Sequence, residues 1–71
     1  MPNEKKIKAK IVEEGLTISK IAVEMGITPY TLGQKILGKT PMTISDARFL
    51  QKRLNIPDCD LAIYFFAEEV A

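Results

Sequence analysis

Residues 17–38 read TISKIAVEMGITPYTLGQKILG, and this stretch spells out two helix starts and two helix stops. Thr17 and Thr28 each offer a hydroxyl that can accept from the unpaired N–H groups of a first helical turn. Pro29 follows Thr28 at the first helical position, where its missing N–H costs nothing. Gly26 and Gly38 supply the left-handed backbone that ends a helix. In the first helix, Ile18, Ile21, Ala22 and Met25 form an apolar stripe at helical spacing. In the second, Leu32 and Ile36 lie one above the other on the inner side. Tyr30 and Gln34 do the same on the opposite side, which also holds Thr31, with Lys35 at the flank. Only Gly26, Ile27 and Thr28 join the two helices. So short a link forces a sharp angle between them, the helix-turn-helix arrangement.

Outward from this centre the chain continues in helices. Residues 3–14 place Ile7 and Ile11 four apart with Val12 beside them, and Gly15 stops the helix. Leu16 falls where a Schellman-type ending folds it back toward Ile11, as Ile27 does onto Ile21 and Ala22 after Gly26. Lys39, Thr40, Pro41 and Met42 form a loop. A fourth helix starts at Thr43, with Asp46 three residues on as a near capping box. Ile44, Ala47, Leu50 and Leu54 line its inner face with Phe49 at the edge, and Asn55 breaks it. Pro57 and Asp58 open a fifth helix carrying Leu61, Ile63, Tyr64, Phe65 and Phe66, and residues 67–71 fray. No alternating strand pattern, repeat or linker interrupts the series. The prediction is one all-α domain over residues 1–71: about five short helices around a helix-turn-helix at about 17–38.

Gly33 stands out, because a mid-helix glycine costs about 1 kcal/mol relative to alanine. Either another backbone packs against it or something external approaches closely, and close packing is the expectation.

Seventy-one residues make one domain, which buries only about 60% of the surface its unfolded chain exposes. Too little apolar surface is left over for a deep ligand cavity. The net charge of +1 hides an asymmetry. Residues 1–56 carry all ten basic groups against five acids, a net of +5, whereas residues 57–71 carry four acids and no base, a net of −4. A basic body with an acidic tail points to an anionic partner for the body. No run is long enough to cross a membrane, and the opening MPNEKKIKAK has no apolar signal core, so a cytoplasmic protein is expected. The lone Cys59 agrees, since no internal disulfide is possible.

Catalytic chemistry is poorly provided for. The chain has no histidine, one cysteine, no cluster at metal-ligand spacing and no Gly-rich phosphate loop. Glu13–Glu14 and Glu68–Glu69 read as solvated charge, and Asp58 and Asp60 as acids at a helix N-terminus. Neither enzymatic activity nor a metal or cofactor is expected.

A helix about 10–12 Å across fits a major groove about 12 Å wide, and in a helix-turn-helix the second helix lies there while the first crosses the phosphate backbone. Tyr30, Thr31 and Gln34 offer hydroxyl and amide groups to base edges, and Gln34 suits a bidentate contact with adenine. Tyr30 and Thr31 can also reach phosphates or thymine methyls.

Ile21-Ala22, Gly26, Ile27, the capping Thr28 and Leu32 together meet a recurrent pattern: an apolar residue then alanine, four residues to glycine, an apolar residue, a capping Ser or Thr, and an apolar residue in mid-helix. On these residues the segment 17–56 resembles the helix-turn-helix domain of the phage repressor and Cro family, a lambda-repressor-like fold. The segments KILGKTP and IYFFA resemble especially the short Cro-like regulators of temperate phages of Gram-positive bacteria. The resemblance implies a transcriptional regulator that binds double-stranded operator DNA in a lysis–lysogeny switch within the bacterial host cell. It implies groove contacts by Pro29, Tyr30, Thr31 and Gln34, and phosphate contacts by Thr17, Ser19, Lys35, Lys39 and Thr40. Ile18 departs from the pattern, standing where many members have a phosphate-binding glutamine; Ser19 or Lys20 can substitute. Lys35-Ile36 replaces a common apolar–acid pair. Lys5, Lys6, Lys8 and Lys10 either add non-specific attraction or form an ordinary solvated face.

Tyr64, Phe65 and Phe66 concentrate three of the five aromatic residues in one run, and a helix cannot bury all three on one stripe. One or two are expected against the core; the remaining ring, beside Ile63, offers a partner surface. The partner is either a second copy, forming a homodimer on DNA, or the phage's repressor protein. In the second case the chain acts as a modulator of repression that alters the repressor's operator binding.

Overall fold

The computed structural model describes residues 2–66. It contains five α-helices: α1 (Glu4–Glu13), α2 (Ile18–Met25), α3 (Pro29–Leu37), α4 (Ile44–Arg53) and α5 (Leu61–Phe65). A 3-10 turn at Asp58–Asp60 leads into the last. No strand occurs among the described residues. The all-helical domain expected from the sequence is what forms; the fraying expected over residues 67–71 lies outside the described residues.

Each of the first four helices is started by a side chain. Asn3 accepts from the Lys6 N–H, Thr17 from Lys20, Thr28 from Thr31 and Thr43 from Asp46, each at 3.1 Å. Asp46 returns the contact by accepting from the Thr43 N–H, so the near capping box is a complete one.

The same four helices share one ending. The chain turns left-handed at Gly15, Gly26, Gly38 and Asn55, with φ of 72°, 75°, 84° and 57°. The next residue then donates its N–H to a carbonyl five back: Leu16 to Ile11, Ile27 to Ala22, Lys39 to Gln34 and Ile56 to Gln51. Leu16, Ile27 and Ile56 pack on or in the core. Lys39 is exposed instead, so only the end of α3 turns a polar residue outward.

The core draws Ile7 and Ile11 from α1, Ile21 and Ala22 from α2, and Leu32 and Ile36 from α3. Ala47, Leu50 and Leu54 join from the α4 segment, then Ile56 and Phe65. Polar ties link distant elements at the rim. The Glu24 carboxylate accepts from Arg53 Nε at 2.6 Å and from Nη2 at 3.1 Å, joining α2 to α4. The Asn55 amide donates to Glu14 at 2.8 Å, and the Asn3 N–H donates to the Tyr64 carbonyl at 2.8 Å.

Three details differ from the sequence expectation. Ile44 does not line the inner face: it is 72% exposed, and the buried residues of α4 begin one turn later at Ala47. Gln51 is buried in its place, one position beyond Leu50 on the same face, with its amide donating to the Asp58 carboxylate. The fifth helix is split into the 3-10 turn and a short α5.

Candidate nucleic-acid interface

Helix α3 follows α2 across the three-residue turn and packs against it. Leu32 and Ile36 are fully buried beneath α3, which leaves its opposite side to solvent. Tyr30 is 76% exposed on that side. Gln34, one turn on, is half-buried and donates from Nε2 to the Tyr30 hydroxyl at 3.3 Å. Both polar groups therefore face outward, as the sequence predicts, and hold each other in place as an i,i+4 pair.

Pro29 is exposed beside Tyr30. Thr31 is more constrained than the sequence suggests. It is half-buried, and its hydroxyl shares a hydrogen bond of 2.9 Å with that of Thr28, so it mainly reinforces the helix start.

Thr17, Ser19 and Lys20 at the start of α2, and Lys39 just past the end of α3, are exposed. Lys20 and Lys39 take part in no ion pair among the described residues. Thr40 is half-buried, its N–H donating to the Gln34 carbonyl at 3.3 Å. Lys35 is the exception among the expected phosphate contacts. Its ammonium donates to the Asp46 carboxylate at 2.6 Å, and the two side chains are only 14% and 18% exposed. It is spent joining α3 to α4 rather than offered to solvent. Burial pushes the Asp46 carboxyl up, but hydrogen bonds from Lys35 and Thr43, with the Lys35 charge, outweigh it. The group ends below its ordinary value of 3.8.

Gly33 reverses the packing expectation. A methyl group at its Cα would meet nothing within 4 Å, so no neighbouring backbone explains the glycine. The absence is legible only in three dimensions. A bare patch of helix backbone lies beside Tyr30 and Gln34.

Ile18 packs against the core and borders an apolar hollow with Ile11, Val12 and Leu16. It offers no polar group, whereas its neighbours Ser19 and Lys20 are polar and exposed. Of the aromatic run, Phe65 is 1% exposed and belongs to the core, so it cannot serve a partner. A five-residue helix presents one face inward, and Phe65 is the ring on it. Tyr64 is half-buried, with Lys6 Nζ 5.9 Å from its ring centre. Phe66 remains exposed at 43%, bordering a shallow hollow with Pro2, Pro41 and Met42.

No protein-family model, curated protein or solved structure matches this chain. No helix among the described residues is long and apolar enough to cross a membrane.

Proposed function

We propose that this protein is a Cro-like transcriptional regulator of a phage lysis–lysogeny switch, acting in the bacterial host cell by binding operator DNA through α3. The carrying observation is the outward face of α3. A helix secured by Thr28 and Gly38 and seated on buried Leu32 and Ile36 holds Tyr30 in solvent, with half-buried Gln34 bonded to it beside the Gly33 backbone. Hydroxyl and amide groups on a helix of this width are the groups that read base edges in a major groove. Exposed Lys20 and Lys39, with Thr17 and Ser19, supply the phosphate contacts that set register and affinity.

A gel-shift series on the promoter region of the source phage tests this. Binding is expected to weaken with salt, log K falling by about 0.9 for each phosphate neutralised per unit of log salt. No retention of any duplex at low salt would rule it out.

A second reading has its own observation. Ile63 and Phe66 are both exposed at the α5 end, an apolar patch that DNA does not use. It suits association with the phage repressor, in which the chain modulates the repressor's operator binding. Gel filtration of the mixed proteins separates the two readings, because a heterocomplex forms only under the second.

A further inference from the structure

Along α3, Pro29, Gly33 and Leu37 follow one another at four-residue spacing and so form one row, directly beside the row of Tyr30 and Gln34. The first row is apolar, and its ends are raised: Pro29 is exposed and Leu37 is 38% exposed. Its middle is a notch, since nothing lies within 4 Å of where a Gly33 side chain would start. The fold obtains nothing from this glycine. Its φ is in the ordinary helical range, no neighbour needs the space, and it costs about 1 kcal/mol relative to alanine. A residue that weakens its own helix without packing benefit is explained by what the gap admits.

We propose that Gly33 is a specificity-determining residue, the floor of the gap in this row, which receives the C5-methyl group of a thymine while neighbouring Gln34 reads an adenine. This rests on the DNA-binding reading above and deepens it. Thymine is the only base that presents a methyl group in the major groove, and apolar contact is how proteins detect it. Adenine presents the N6–N7 pair that suits a glutamine amide. A polar row next to a notched apolar row is therefore complementary to A·T-containing steps. An alanine at position 33 would fill the notch and push the methyl group away.

The test begins with duplexes enriched by the intact protein from a random pool at low salt. In the best of these, each thymine in turn is replaced by deoxyuridine, which removes only the methyl group. One position is expected to cost the protein about fourfold in affinity, the value of one buried methyl-sized group. Gly33→Ala, which is expected to fold at least as well, should bind the thymine duplex more weakly and lose that fourfold preference. If every uracil duplex binds like its parent, or if Gly33→Ala keeps the same preference, the notch does not read thymine, although DNA binding itself stands. If no duplex is enriched at all, the DNA-binding reading fails and takes the notch with it.

Discussion

Lys35 Nζ and the N–H of Thr43 donate to the same oxygen of Asp46, at 2.6 and 3.1 Å. One carboxylate thus closes the start of α4 and ties it to the side of α3. The outward face of α3 is oriented by this pair as well as by the apolar residues beneath it. A lysine that sequence assigns to DNA is, in the folded chain, a strut.

The strut is sensitive to acid. Folded-state hydrogen bonds hold the carboxyls of Asp46 and of Glu24, which is bonded to Arg53, below their ordinary values of 3.8 and 4.5. Groups lowered in this way add stability above the unfolded value and lose it as pH falls through the folded one. Denaturant unfolding should therefore show stability holding from neutral pH to about 5 and declining below about 4.5. Asp46→Asn should cost about 1 kcal/mol at neutral pH and flatten part of that decline. A variant with an unchanged acid profile would show that the pair carries no such stability.

Two glycine-to-alanine changes should act with opposite signs. Gly33 is helical with open space around it, so Gly33→Ala should raise stability by about 1 kcal/mol, or roughly 4–8 °C in Tm. Gly26 has a φ of 75°, where a side chain is strained whatever the room, so Gly26→Ala should cost about 1–2 kcal/mol. Thermal melts by circular dichroism give both values.

Tyr30→Ala and Gln34→Ala remove side chains that contact each other at the surface. Each should change folding stability by less than about 0.5 kcal/mol. If the DNA-binding reading holds, Gln34→Ala costs about 1–3 kcal/mol of DNA affinity, concentrated at one base pair. Affinity loss spread evenly over all sequences would instead assign Gln34 to phosphate contact.

The two adjacent phenylalanines should separate cleanly. Phe65→Ala empties a fully buried site and should cost about 3–5 kcal/mol, a large share of what a domain of this size possesses. Phe66→Ala should leave the melt nearly unchanged; if the repressor-binding reading holds, it weakens the heterocomplex seen in gel filtration.

By itself the sequence determined the first four helices, their starts and their stops. Thr17, Thr28, Thr43, Gly15, Gly26, Gly38 and Asn55 act within a few residues along the chain, where hydrogen bonding and allowed φ values are local matters. The outward placement of Tyr30 and Gln34 was legible for the same reason, since period alone sets them opposite Leu32 and Ile36. What only tertiary structure decided depends on which elements meet. Periodicity puts Ile44 on the inner face of α4 but does not reveal that the core ends before it, nor that Asp58 comes round to meet the Gln51 amide. It cannot say which of Phe65 and Phe66 is enclosed, that Lys35 finds Asp46 eleven residues away, or that the space above Gly33 is empty. Those outcomes are fixed by contacts between segments distant in the chain, and residue spacing carries no record of them.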